Sequence, residues 1–267
     1  MKIFTDPLKL QKWCRARRQA GKKLALVPTM GYLHSGHMSL IERAKKKGAD
    51  EIVVSVFVNP IQFGPNEDYA KYPRDEKSDL EKCRKAGATA VFFPTPANMY
   101  LSDHSVYVNE EALSTVLCGA RRPGHFRGVC TVVAKLFNLT FPNFAVFGQK
   151  DYQQAQVIKR MVRDLNFDIE IVVAPIVREK NGLAISSRNT YLSDAEREMA
   201  LAISKGLREL KSLAALKRRL EKAGLKVDYV ECVDAHTLRP RKRIEKGSCV
   251  LVAVYCGKTR LIDNVLI

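Results

Sequence analysis

Two histidines, His34 and His37, flank a glycine in the run Pro28-Thr29-Met30-Gly31-Tyr32-Leu33-His34-Ser35-Gly36-His37. The run follows an apolar, strand-like segment and leads into an amphipathic, helix-like one. Three-residue spacing at a helix start puts both imidazoles on one face. Gly36 lets a ligand approach the backbone, and a helix N-terminus offers free N–H groups and a partial positive charge. Such a junction is suited to phosphate. A neutral imidazole donates to phosphate oxygens, and a protonated one stabilises developing negative charge. Zinc would need a third ligand of matching type, and none lies nearby in the sequence.

Four further segments carry polar groups of the same kind. In Phe57-Val58-Asn59-Pro60-Ile61-Gln62-Phe63-Gly64, the amides Asn59 and Gln62 can hold a hydroxyl or carboxylate without adding charge. In Phe147-Gly148-Gln149-Lys150-Asp151-Tyr152-Gln153-Gln154, Lys150 supplies a point charge for phosphate. Asp151 can cap the following helix or accept from ribose hydroxyls, and Gln154 lies one turn further on. In the polar loop 178–191, Ser186, Ser187 and Arg188 follow Gly182 and form a loop able to close on a polyphosphate. Before a further helix, Arg122 and His125 are candidate ligand groups, while Arg127 reads equally as a solvated charge. Neither Gly-x4-Gly-Lys-Ser/Thr nor Gly-x-Gly-x-x-Gly occurs, so a nucleotide would bind through the histidine junction. No carboxylate cluster forms a metal cage. No protein metal site is expected, and Mg²⁺ would arrive on substrate phosphates.

The elements that must position these groups alternate in type. Strand-like runs at 24–28, 52–58, 90–94, 143–147 and 169–175 are separated by helix-like stretches at 7–20, 39–47, 74–86, 128–138 and 153–166. This predicts an α/β fold, a Rossmann-like doubly wound parallel sheet with ligands beyond the carboxyl ends of its strands. After residue 175 the pattern changes to helices at 194–210, with Ser193 as N-cap, and 214–223, then strands at 227–234, 249–255 and 261–265. Two domains are therefore expected: 1–175, and a smaller α+β domain, 176–267, closing over the site.

Lys and Arg total 45 against 28 acidic residues, a net charge of +17, which fits attraction to anions or a basic solvated surface. A nucleic-acid binder is disfavoured, because no basic stripe is interleaved with aromatics and the polar motifs converge on strand ends. The seven cysteines are scattered without a Cys-x-x-Cys pair, so they read as small core residues. The N-terminal segment lacks a signal-peptide pattern and no apolar run reaches membrane-spanning length, so a cytoplasmic protein without membrane partners is expected.

The five motifs, in this order and spacing over nearly the whole chain, resemble the pantoate–β-alanine ligase family, part of the HIGH-type nucleotidyl transferases related to class I aminoacyl-tRNA synthetases. The resemblance implies that pantoate carboxylate attacks the α-phosphorus of ATP, giving a pantoyl-adenylate and pyrophosphate. The amine of β-alanine then displaces AMP. It implies ATP contacts along Met30, Gly31, Tyr32, Leu33, His34, Ser35, Gly36 and His37, and at Gly148, Gln149, Lys150, Asp151, Val177, Ile185, Ser186, Ser187 and Arg188. His37, with His34, Lys150 and Arg188, would stabilise phosphate charge. Gln62 and Gln154 match pantoate positions, Gln62 also lying near β-alanine, and Val132 and Val133 would pack on the gem-dimethyl group. Asn59 and Arg122 complete the expected substrate set, and a homodimer is implied. Ile185 and Met38 stand where methionine and leucine are common, Gln149 replaces a common glutamate, and the chain is short around 210–216. Within the superfamily, the alternative is a transferase that stops at a nucleotidylated product.

Overall fold

The computed structural model describes residues 1–65 and 67–267. Its first part runs β1 (Lys2–Phe4), α1 (Pro7–Gln19), β2 (Leu24–Thr29), α2 (Ser35–Lys46), β3 (Glu51–Val56), α3 (Glu76–Ala86), β4 (Ala90–Phe92), α4 (Pro96–Met99), α5 (Leu117–Arg121), α6 (His125–Thr140), β5 (Phe144–Gly148), α7 (Tyr152–Asp164) and β6 (Glu170–Ala174). The second part contains α8 (Asp194–Arg208), α9 (Leu213–Lys222), β7 (Lys226–Asp234), β8 (Ser248–Cys256) and β9 (Thr259–Leu266).

The first six strands form one sheet in the order β1-β4-β3-β2-β5-β6, with every pair parallel. Period-two alternation explains why these strands are apolar throughout: both faces are covered. Leu24, Leu26, Val53, Phe92 and Phe147 face the α1, α6 and α7 side, while Ala25, Val27, Val54, Val91 and Val146 face α2 and α3. Each such fully buried Val, Leu or Phe contributes about 1.5–3 kcal/mol. β2 lies between β3 and β5, so the chain steps outward to β4 on one side and returns to β5 and β6 on the other. The crevice past the ends of β2 and β5 is the switch point where ligands bind in such sheets.

Three differences from the sequence expectation bear on the sheet edge and the site: one added strand and two shifted helix starts. β1 pairs with β4 at the sheet edge although only three residues long, too short for a periodic signal. α2 begins at Ser35 rather than 39, because the polar run through Gly36 and His37 forms its first turn. α6 begins at His125 rather than 128, after a left-handed Gly124.

The second part is a three-stranded antiparallel sheet, β7-β8-β9, beneath α8 and α9. Ser193 caps α8 in a reciprocal box with Glu196, matching the sequence expectation. β8 alternates as the first sheet does. Val250, Val252 and Val254 face α8 and α9, whereas Cys249, Leu251 and Ala253 join the largest apolar cluster of the first part. The two sheets thus share one core. All seven cysteines are free, and six are buried; Cys118 is partly exposed.

Candidate active site

β2 ends at Thr29, whose hydroxyl donates to Ser55 O (2.7 Å) and accepts from Gly31 N–H (3.2 Å). The turn that follows is held from α3. Asp79, 1% exposed, accepts from Tyr32 N–H at 2.8 Å and Leu33 N–H at 2.6 Å, and Lys82 donates to Leu33 O at 2.7 Å. The Asp79–Lys82 pair lies outside the sequence expectation. Its only sequence signal is an acid and a base three apart on one helix face.

His34 is the N-cap of α2 and His37 its third residue. A side chain at position 36 would place Cβ 2.9 Å from His34 Cε1, so only glycine admits the imidazole there. The two rings stand 4.0 Å apart, tilted by 34°. His34 N–H donates to His37 Nδ1 (3.2 Å), which makes Nδ1 an acceptor and leaves the His37 ring proton on Nε2. Burial, the neighbouring His34 and the Lys150 ammonium all depress the His37 pKa well below the ordinary histidine range. Burial and then Lys150 bring His34 down to about 4. Of the two protonation states open from the sequence, the structure therefore selects neutral imidazoles over imidazolium.

The same depression links the site to stability. His34 and His125, both held near 4, and His37 refuse protons in the native state that the unfolded chain accepts below about 6.5. Their contribution is complete above 6.5 and is lost as pH falls toward 4. Urea midpoints should decline between pH 6.5 and 5, each histidine contributing up to about 1.4 kcal/mol per pH unit. A midpoint flat over that window would contradict the assignment.

The histidines open onto a cavity of about 210 Å³ past the ends of β2 and β5. Seventeen of the expected residues line it: Met30, His34, Gly36, His37, Asn59, Gln62, Val132, Val133, Gly148, Lys150, Asp151, Gln154, Val177, Ile185, Ser186, Ser187 and Arg188. Val132 and Val133 of α6, with Val129, Leu136, Phe57 and Phe147, form an apolar wall.

In the same cavity, beside α6, the polarity of Gln62 is fixed by its neighbours. Gly128 O can only accept, so the Asn59 group 3.1 Å away is its NH₂, which also donates to Gln62 Oε1 at 3.0 Å. Asn59 Oδ1 accepts from Tyr100 OH (2.8 Å). The Gln62 amide nitrogen is therefore the end turned toward Met30 Sδ (2.9 Å), a weak acceptor that an oxygen ligand outcompetes. Asn59, expected to touch substrate, instead spends its amide orienting Gln62. His125 Nδ1 lies 2.8 Å from Gln62 O and holds the same turn.

The cations of the site are paired. Arg188 grips Asp68 at 2.9 and 2.7 Å, Arg122 grips Glu67 at 2.6 and 2.6 Å, and Lys150 lies 3.0 Å from Asp151. Burial opposes ionisation of Glu67 and Asp68, yet their arginine partners hold both carboxyls below the usual range. Ser187 donates to Tyr32 O (3.3 Å), tying the 186–188 loop to the histidine turn. A larger groove of about 1050 Å³ shares Lys150, Asp151, Gln154, Ser186 and Arg188 with the cavity and extends along Arg122 and β9.

Six expected contacts lie elsewhere. Arg122 lines only the larger groove, bound to Glu67. Gly31, Tyr32, Leu33, Ser35 and Gln149 line neither space. Asp79 occupies the Tyr32 and Leu33 N–H groups, Ser35 is exposed, and the Gln149 amide donates to Asn264 at 3.2 Å. Among the described residues, no group of three or more His, Cys, Asp or Glu converges to hold a metal, and no helix is long and apolar enough to cross a membrane.

The family model described as pantoate-beta-alanine ligase matches residues 2–266. A pantothenate synthetase of Clostridium acetobutylicum is 53% identical, covering 99% of this chain and 98% of its own, and one of Thermosipho melanesiensis is 52% identical, covering 92% of each. The crystal structure of pantothenate synthetase from Thermus thermophilus superposes with a TM-score of 0.90 at 42% identity over 99% of both chains. That of pantoate-beta-alanine ligase from Francisella tularensis, complexed with beta-gamma ATP and β-alanine, gives 0.88 at 34% identity over 100% of this chain and 97% of its own. With its parallel sheet, its histidine junction and this similarity along its whole length, the chain belongs to the pantoate–β-alanine ligase family and is a ligase.

Proposed function

We propose that the protein condenses pantoate with β-alanine at the expense of ATP, through a pantoyl-adenylate, releasing pyrophosphate and then AMP. The observation that carries this is one cavity joining phosphate donors (His34, His37, Lys150, Arg188) to amides (Gln62, Gln154) and a valine wall. A hydroxy acid with a branched apolar body fits that combination, its carboxylate facing the phosphate groups. The ligands of the Francisella relative support the same reading.

In the first step the pantoate carboxylate attacks the α-phosphorus and pyrophosphate leaves. Charge accumulates on the phosphate oxygens, and the chain's contribution is positioning and fixed donors. His37 Nε2–H, the α2 N-terminus and Lys150 act on the α-phosphate side, with Arg188 and Ser186 to Ser187 on the leaving phosphates. The neutral histidines donate without gaining or losing a proton. Mg²⁺ would shield the phosphates while bound to them; the carboxylates at the rim, Asp68 and Asp151, already face cations. In the second step the β-alanine amine attacks the activated carbonyl and AMP leaves. Gln62 presents amide hydrogens to the acids, while Val132 and Val133 hold the dimethyl group. In this proposal residues 1–175 carry both acids' sites, 176–267 supply the closing loop, and the assembly is a homodimer.

The test is ATP turnover with Mg²⁺ and pantoate, with and without β-alanine. AMP and pyrophosphate should form, with steady turnover only when both acids are present. ADP as product would rule out the adenylate route. Turnover indifferent to β-alanine would favour a transferase that stops at the adenylate.

A further inference from the structure

Asn264 lies on β9, in the second part of the chain, and is 2% exposed. Its side-chain NH₂ donates to two consecutive carbonyls of the first part, Gln149 O (2.9 Å) and Lys150 O (3.1 Å), while its Oδ1 accepts from Gln149 Nε2 (3.2 Å). One amide thus fixes the peptide planes on both sides of Lys150, and with them the direction in which the lysine leaves the backbone. The preceding residue does the equivalent for the other phosphate segment. Asp263, 3% exposed, binds Arg178 at 2.6 and 2.9 Å, and Arg178 donates to Gly182 O (3.2 Å). That closes the hairpin in which Ile185 N–H donates to Val177 O (3.0 Å), just ahead of Ser186 to Arg188.

We propose that Asn264 is a positioning residue for Lys150, and that β9 sets the registry between the Lys150 turn and the 186–188 loop through two adjacent side chains. The inference rests on the adenylate-forming reading above, since it requires Lys150 to act on ATP phosphates. Asn264 lines the larger groove but not the histidine cavity, and its side-chain amide is spent on the Lys150 turn. A primary amide is the only side chain of this size that supplies two N–H donors and one acceptor together. An acid in its place would set oxygen against two carbonyls, and leucine would remove all three hydrogen bonds.

The test is a double-mutant cycle combining Asn264→Asp or Asn264→Leu with Lys150→Ala, read as the ATP–Mg²⁺ dissociation constant and the rate of AMP formation. Each Asn264 substitution alone should weaken ATP binding or slow AMP formation by about 10- to 100-fold, as expected for a misplaced charged group. Pantoate affinity should stay within about twofold of the unsubstituted protein. In the Lys150→Ala background the same substitution should add less than about twofold, because the group it positions is gone. Losses that multiply in full would overturn the proposal, as would equal loss of pantoate affinity. Failure of both Asn264 variants to fold would assign the residue to fold stability and overturn it too. If the unsubstituted protein makes no AMP from ATP and pantoate, the proposed function falls first, and the cycle distinguishes that case.

Discussion

Replacing His37 with alanine should slow adenylate formation by about 10²–10³-fold, the cost of removing one preorganised donor from a charge-developing centre. Pantoate affinity should change by no more than about threefold. The asymmetry follows from the ring's hydrogen bonding. His37 Nδ1 is occupied by the His34 N–H, so the ring has one group to offer, Nε2–H, and it offers it as a neutral donor. Such a donor gains strength as charge builds on the phosphate oxygens and contributes little to holding a carboxylic acid in the ground state. Single-turnover rapid quench with saturating ATP gives the rate, and titration with pantoate gives the affinity. Equal losses in both would make His37 a ground-state contact. A rate that rises toward low pH with a midpoint near 6.5 would mean that imidazolium is the active form, against the depressed pKa.

The Gly128→Ala variant should lose both stability and pantoate handling. A Cβ there would sit 2.3 Å from Ile61 O and 2.6 Å from Gln62 Cα, both backbone atoms that no rotamer change can move aside. α6 would have to withdraw from the 59–62 turn. The expected cost is the upper end of the range of about 1–3 kcal/mol for overpacking. The larger effect is on chemistry, because the same withdrawal breaks the Asn59 bond to Gly128 O and frees the Gln62 amide to rotate. Displacement of about 1 Å at a positioning group costs roughly 100-fold, and kcat/KM for pantoate should fall by that much. ATP affinity should hold, since Lys150 and the histidine turn are anchored by β9 and α3. Unchanged kcat/KM together with an unchanged urea midpoint would refute the packing argument.

The sequence is informative where chemistry and periodicity coincide. Lys150 and Gln154 follow an apolar strand at a glycine, and both reach the cavity. The Val132-Val133 wall likewise falls on the inner face of an apolar helix. Groups that work through other groups are less legible. Asp79 sits in a helix whose pattern reads as ordinary amphipathic surface, yet it is buried and holds two N–H groups of a turn 46 and 47 residues away. Asn264 lies 114 residues from the backbone it fixes. Tyr100 passes for a core aromatic until its hydroxyl is found on Asn59. Contacts of this kind depend on register between elements, which local spacing does not encode. Tyr32 and Leu33 show the converse: the motif is continuous in sequence, but the N–H groups at its middle are turned to Asp79 of α3 and neither residue lines the cavity.

The paired arginines bear on selectivity among anions. Arg122 and Arg188 are each held in a two-pronged grip by a carboxylate, so their long side chains are already ordered and their planes already set. A ligand that takes over either guanidinium does not meet the cost of about 0.5–1.5 kcal/mol for freezing a flexible side chain. It must, however, replace two charge-assisted hydrogen bonds at once. Chloride has no such pair of acceptors to offer, and a lone carboxylate only exchanges like for like. A chain of phosphates, with several oxygens at fixed separations, can displace both carboxylates in one binding event. The acidic pair Glu67 and Asp68 would thereby set a threshold that small anions do not meet and a polyphosphate does.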